Sequence, residues 1–304
     1  MTTITDTVFM VRPSNFGYNH ETAENNAFQD NSGNETVEQI SEMAKVEFDG
    51  MVEQLRDKGI DVVVYEDVGN TVIKDSVFPN NWITTHSNDV LITYPLFAES
   101  RRVERREDIV EDLKERFSYN RQYFFEHYEG DEKFLEGTGS MILDRDNRII
   151  YACLSDRTNV EVLEKFSILM NYTKIFFHAE DTDGIPIYHT NVMMALGEEL
   201  CILCTESIKD EKERTELLTS LEETDKEVIE ISLEQMGKFA GNMLEVKNKL
   251  GYRYMVMSEQ AYKSLNEEQI NKIEHHSQII HVPLYTIEKY GGGSARCMLA
   301  EIFK

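Results

Sequence analysis

The residues in this chain best suited to chemistry lie near its end. In YGGGSARCM, residues 290–298, three glycines and a serine lead into Cys297. Glycine loses the most freedom on ordering, so such a run makes a poor helix or strand interior and suits bare backbone brought close to a ligand, with one thiol held beside it. The competing reading is a loop carrying a buried, inert cysteine. A phosphate-cradling loop is not indicated, because no Lys-Ser/Thr pair follows the glycines. A nucleophilic thiol needs a histidine for proton traffic and usually a carboxylate to orient that histidine. Eight histidines are available. His275 and His276 end an exposed helical pattern, and His20, His86, His127, His178 and His281 stand in loops or at strand ends without a recurring polar neighbour. His189 differs: in IPIYHTNVMMALG it opens an apolar strand, and Asn191, two residues on, falls on the same strand face. The alternative there is a satisfied core histidine. Glu136 precedes a Gly-rich turn and an apolar strand in FLEGTGSMILD, where an acid either caps the turn or faces a cavity. Asp75, Asn80 and Asn81 cluster in DSVFPNNW, where the two asparagines also suit a turn after Pro79. Arg157 in LSDRTN is either a site arginine or a surface residue near a helix cap made by Asp156 or Thr158.

Composition narrows the classes. A formal charge of −25 over 304 residues argues against nucleic acid or an anionic membrane as partner, since both demand clustered Lys and Arg. Nothing approaches the roughly 20 consecutive apolar residues that span a bilayer. Four cysteines with no apolar N-terminal segment predict free thiols in a reducing cytoplasm. Cys201 and Cys204 lie in the apolar run ELCILCTE, where a strand turns them to opposite faces, so they read as core. No His/Cys spacing fits a metal site, and no cofactor is expected.

These residues need elements to position them. TVFMVR is an apolar strand, and residues 37–58 have helical periodicity with Val37, Ile40, Met43, Ala44, Phe48, Met51, Val52 and Leu55 on one side. IDVVVYE follows as a buried strand. The same order then returns, giving five rounds of strand, strand, helix, strand in all, with the later helices predicted over about 101–117, 159–170, 211–222 and 265–275. Modules of roughly fifty residues imply a ring of units, each too small to bury its own apolar face. The tail, residues 294–303, is one more strand, able to pair with the first module and close the ring with Cys297 near its axis. No Pro/Ser/Gly-rich linker divides the repeats, so one domain over 1–304 is expected.

DSVFPNNW, LEGTGS, LSDRTN, YHTNV and GGGSARC, in this order, resemble the guanidino-group-modifying enzymes of the pentein superfamily. Together, VRPSNFGYN, FPNNW and FAGNMLEV are most similar to the citrulline-utilisation (CtlX-type) hydrolases. The resemblance implies an α/β fold: a five-bladed pseudo-symmetric α/β propeller of strand-strand-helix-strand modules. It also implies Cys297 as nucleophile, His189 as general acid/base and Glu136 as the acid orienting it. Arg157 would bind a substrate carboxylate, Asp75 the substrate's polar end and Phe78 an aromatic wall, with Asn80, Asn81 and Asn191 around the reacting group. Arginine-type members commonly carry acids where Asn81 and Asn191 stand here. A buried cation wants a paired carboxylate, whereas an amide offers both donor and acceptor to a neutral ureido group. The expected function is therefore hydrolysis at the ureido carbon of citrulline to ornithine, ammonia and carbon dioxide. The alternatives are a guanidine enzyme of the same fold (arginine or agmatine deiminase, dimethylarginine hydrolase or amidinotransferase) and, from another class, a non-catalytic propeller that binds a partner protein. A neutral substrate cannot help ionise the thiol, so a Cys297/His189 ion pair is expected before substrate arrives. The partner is a small amino acid, with a homodimer left open.

Overall fold

The computed structural model describes residues 3–67 and 73–304, and among them fifteen strands form five three-stranded sheets. In the first sheet β1 (Thr7–Arg12) runs through α1 (Val37–Asp57) to its parallel neighbour β2 (Asp61–Glu66). A reciprocal cap starts α1: Thr36 Oγ1 accepts from the Gln39 amide, and Gln39 Oε1 accepts from the Thr36 amide. Ile40, Ala44, Phe48, Met51, Val52 and Leu55 are buried beneath it, whereas Val37 and Met43 are exposed. Val37 sits in the first turn, and Met43 lies off the buried stripe.

The other sheets share one plan, an antiparallel pair followed by a helix that returns the chain to a parallel third strand. The second contains β3 (Ile83–His86), β4 (Val90–Thr93), α2 (Glu107–Phe117) and β5 (Arg121–Phe124). The third contains β6 (Ile142–Asp144), β7 (Ile149–Cys153), α3 (Val160–Met170) and β8 (Thr173–Phe177). The fourth contains β9 (Met194–Leu196), β10 (Leu200–Leu203), α4 (Glu211–Glu223) and β11 (Glu227–Glu230). The fifth contains β12 (Leu244–Lys247), β13 (Arg253–Ser258), α5 (Glu267–His276) and β14 (Gln278–Val282). The tail strand β15 (Ala300–Ile302) then pairs antiparallel with β1, Thr7 opposite Ile302 and Phe9 opposite Ala300. The first module thus borrows its missing strand from the other end of the chain, as expected.

β15, β3, β6, β9 and β12 are the inner strands, and β15 touches β3, β6 touches β9 and β9 touches β12. The segments entering them are where expectation and structure part. Residues 79–81 and 190–192 are 3₁₀ turns, so β3 and β9 begin later than their apolar runs. Glu99–Glu104 is likewise a 3₁₀ turn separated from α2. The glycine run is not a plain loop: a short helix, Tyr285–Gly291, ends there, and Gly292 at φ 62° closes it in the left-handed region. Cys201 and Cys204 are buried in the core. No helix among the described residues is long and apolar enough to cross a membrane.

Candidate active site

Every inner strand is preceded by a segment that delivers polar groups to one end of the ring. Asn81 precedes β3, Glu136 and Gly139 precede β6, His189 and Asn191 precede β9, Asn242 precedes β12 and Cys297 precedes β15. The segments before β3, β9 and β15 line one pocket, whose walls include Cys297, His189, Asn81, Asp75, Phe78, Arg157 and Arg101. The thiol and the imidazole therefore face one space. Gly291 and Gly293 form part of the wall because the Phe78 ring packs against them: a Cβ on either would come within 2.9 Å of that ring. Bare backbone is needed there for an aromatic neighbour as much as for a ligand.

Glu136, fully buried, accepts from His189 Nε2 at 2.8 Å and from the Phe97 amide at 2.9 Å, and its Oε2 lies 3.6 Å from Arg157. Burial pushes its carboxyl up, but Arg157, the His189 hydrogen bond and Arg101 together hold it at about 2. An ionised Glu136 fixes the proton of His189 on Nε2 and leaves Nδ1 as the ring's basic atom. Gly139 makes room for this ring, since a Cβ there would sit 2.8 Å from Nδ1 and 2.5 Å from Asn81 Nδ2. Burial takes His189 down to about 4 against the opposing pull of Glu136. Burial thus favours the neutral imidazole and works against the expected ion pair with Cys297.

The sulfur instead meets amides. Asn191 Nδ2 and Asn242 Nδ2 each donate to Cys297 Sγ at 3.3 Å. Asn242 can face only this way, because its Oδ1 accepts from the Arg296 amide and its Nδ2 also donates to the Asn191 carbonyl. His189 and Asn191 do converge, but through the 3₁₀ turn rather than as alternate residues of a strand.

The family described as N,N dimethylarginine dimethylhydrolase, eukaryotic, matches residues 12–304. The chain belongs to that family. It thereby falls in the pentein guanidino-modifying superfamily, whose hydrolases act on carbon–nitrogen bonds. No curated protein matches the sequence. Among solved structures, it is similar to the substrate-bound N-terminal domain of ArgZ, an arginine dihydrolase of the cyanobacterial ornithine–ammonia cycle, at TM-score 0.75 and 15% identity, covering 98% of each chain. It is also similar to AgrE bound to L-arginine, at TM-score 0.74 and 16% identity, covering 98% of this chain and 40% of that one. A dimethylarginine dimethylaminohydrolase carrying an S-methyl-L-thiocitrulline adduct aligns at TM-score 0.67 and 16% identity, over 98% and 100% of the two chains. At such identities these likenesses speak for the fold alone.

The remaining predicted residues fall into two groups. Asp75 is buried, and its Oδ2 accepts from Asn19 Nδ2 at 2.7 Å while Oδ1 has no partner among the described residues. Burial, opposed by Arg101, raises its carboxyl above the ordinary range. Arg157 is buried rather than a surface residue, and Asn159, not Asp156 or Thr158, caps α3. Its guanidinium lies between the Phe97 and Tyr188 rings and donates to Asn25 Oδ1 and to the Thr22 carbonyl. Asn80 is not on the cavity wall: its amide points back to Thr138 Oγ1, 3.4 Å away. The segment around Thr22, Asn26 and Gln29 covers the cavity.

Sequence reasoning missed Arg101 and Asn242. Arg101 stands in ESRRVERRE, which reads as a solvated helix. The 3₁₀ turn stacks residues three apart and so brings Glu104 onto it. The signal for Asn242 was the repeat itself, since it stands two residues before β12 just as Asn81 stands two before β3. No group of three His, Cys, Asp or Glu side chains among the described residues could hold a metal ion.

Proposed function

We propose that this protein hydrolyses the ureido group of citrulline. The observation that carries this reading is the amide lining of the reacting end. Asn81 Nδ2, on the pocket wall, and Asn191 Oδ1, on the amide that donates to Cys297 from outside that wall, are buried without partners among the described residues, one donor and one acceptor. Unpaired buried polar atoms are costly and imply a ligand that completes them. A ureido carbonyl suits the donor and a ureido N–H suits the acceptor. A guanidinium has no acceptor for Asn81. The resemblance of FPNNW and FAGNMLEV to citrulline-utilisation hydrolases points the same way. The substrate's α-ammonium would meet the free oxygen of Asp75, and its α-carboxylate would take over Arg157 from Asn25.

In this mechanism Cys297 attacks the ureido carbon while its proton passes to Nδ1 of neutral His189. The imidazolium, steadied by Glu136, then protonates a departing nitrogen, and the C–N bond breaks to leave an S-carbamoyl enzyme. His189, neutral again, takes a proton from water, whose oxygen attacks the carbamoyl carbon. The C–S bond breaks, the sulfur recovers its proton, and the released carbamate decomposes. One water is consumed per citrulline, giving ornithine, ammonia and carbon dioxide.

The second reading is a guanidine hydrolase. The family description names dimethylarginine, one neighbour named above has L-arginine bound, and the free oxygen of Asp75 suits a guanidinium N–H. Wild type and Cys297→Ser incubated with citrulline, arginine, agmatine and dimethylarginine, scored for ammonia and amino-acid product, test both. The citrulline reading expects ornithine from citrulline with wild type only. Turnover of arginine or dimethylarginine with none of citrulline refutes it.

A further inference from the structure

A buried acid behind the nucleophile takes no part in the mechanism above. Glu288, 2% exposed, lies in the short helix Tyr285–Gly291 that leads into the glycine run. Glu47 of α1 fixes the start of that helix, its carboxylate accepting from the Thr286 amide at 2.8 Å and from the Ile287 amide at 3.0 Å. From this anchored helix Glu288 Oε1 accepts from Ser294 Oγ at 2.6 Å, and Oε2 accepts from Gln260 Nε2 at 3.2 Å. Ser294 in turn carries the thiol: its carbonyl accepts from the Cys297 amide at 3.0 Å, which closes the turn holding Cys297. Gly292 and Gly293 stand between helix and turn and bring no side chain of their own. The Glu288–Ser294 bond is a side-chain link across them.

We propose that Glu288 is a positioning residue for the nucleophile: its carboxylate holds Ser294, and through Ser294 the turn that presents Cys297. The inference rests on Cys297 as nucleophile, which both substrate readings share, and not on the choice between citrulline and a guanidine. Glu288 is not on the pocket wall, so it acts only through the loop. Both of its oxygens already accept, and a proton added to either competes with the donor seated there. Burial lifts Glu288 to about 7 against the Ser258 and Ser294 hydroxyls. Facing it are Ser258 and Gln260 from the fifth module, Ser294 from the loop and, as the charged group, Glu47, which pushes it the same way. A carboxyl raised in this way is ionised on the alkaline side. The hold on Ser294 is complete there and is lost as pH falls through about 7. Displacing a reacting atom by about an ångström costs on the order of 10²-fold in rate.

The test is the pH profile of kcat on the preferred substrate, with the rate of Cys297 alkylation by iodoacetamide at about pH 8 as a readout that needs no substrate. Both are measured in wild type, Glu288→Gln, Ser294→Ala and the double variant. Glu288→Gln keeps the size and an acceptor of the acid without its charge. The position of a limb on the pH axis does not depend on how much of a sample is folded, so a destabilised variant stays informative. Wild-type kcat is expected to fall about tenfold or more from about pH 8 to about pH 6. Glu288→Gln should lack that limb and run throughout near the wild-type rate at the acid end, with alkylation slowed to a similar degree. Ser294→Ala should bring the same loss, and the double variant should be no slower than the slower single variant, because the two residues form one link. Glu104 is lifted to the same range beside Arg101, so Glu104→Gln is the control, and its limb should persist. A limb that persists in Glu288→Gln, or alkylation there as fast as in wild type, overturns the inference alone. So do losses in the two single variants that multiply in the double. Full activity in Cys297→Ser overturns the assignment of the nucleophile, and this inference with it.

Discussion

Two arginine–glutamate pairs are buried on the flanks of the cavity, and they behave oppositely. Arg101 and Glu104 meet in bidentate contact, yet burial lifts Glu104 to about 7 against the pull of Arg101. Arg157 and Glu136 are farther apart at 3.6 Å, yet Glu136 stays near 2. What separates them is the number of donors. Among the described residues Glu104 accepts from Arg101 alone, and two neighbouring acids, Asp75 and Glu136, push it further up. Glu136 collects the Phe97 amide, the His189 ring and the fields of both arginines. A short ion pair is thus no guarantee of an ionised acid, because desolvation must be offset by all the donors together. The well-solvated-by-protein carboxylate orients the histidine, and the poorly compensated one only steadies an arginine.

Removing charge from each pair separates them most. Glu136→Gln takes away the acceptor that fixes the tautomer of His189, and kcat should fall by about 10²–10⁴. Glu104→Gln leaves the histidine untouched, and its kcat on the preferred substrate should stay within about tenfold of wild type in the same assay. Stability against pH gives opposite signs. The folded value of Glu136 is depressed from 4.5 to about 2, so its contribution of ~3 kcal/mol is present above pH 4.5 and is lost as pH falls toward 2. The folded value of Glu104 is raised from 4.5 to about 7, so it destabilises by up to ~3 kcal/mol as pH climbs through that window. Denaturant melts across pH should lose the acid-side slope in Glu136→Gln and the slope toward neutrality in Glu104→Gln. At the sulfur, Asn242→Asp keeps the acceptor for the Arg296 amide but replaces the N–H donor with an anion. Alkylation of Cys297 by iodoacetamide at neutral pH should slow by about tenfold, since the thiolate is the attacking form. The smallest effect belongs to a solvated pair. Arg12 and Asp49 lie 2.7 Å apart but are 29% and 51% exposed, so Asp49→Asn should cost under about 1 kcal/mol in a urea melt.

The ring was legible because each module repeats one hydrophobic order, and closure by β15 because the tail is one more strand after the fifth module. The placement of Cys297, His189 and Glu136 at one end of the ring was legible because each stands at a turn into an apolar inner strand. What stayed hidden depends on turns whose periodicity is neither helical nor extended. The 3₁₀ turns at 79–81 and 190–192 decide that Asn81 reaches the cavity while Asn80 does not, and that Asn191 reaches sulfur. Arg101 and Glu104 lie in a stretch so rich in charge that burial could not be read from composition. The occupation of Arg157 by Asn25 and Thr22 is a long-range contact that no local pattern encodes.

The central claim is that Cys297 carries the carbon of a ureido substrate. Acid-quenched wild-type protein taken during turnover of citrulline, digested and read by mass spectrometry, tests it directly. The account predicts one carbamoyl group on the Cys297 peptide, disappearing as ornithine accumulates and absent from Cys297→Ser. Ornithine formed equally fast by Cys297→Ser, or a peptide that stays unmodified while citrulline is consumed, contradicts it.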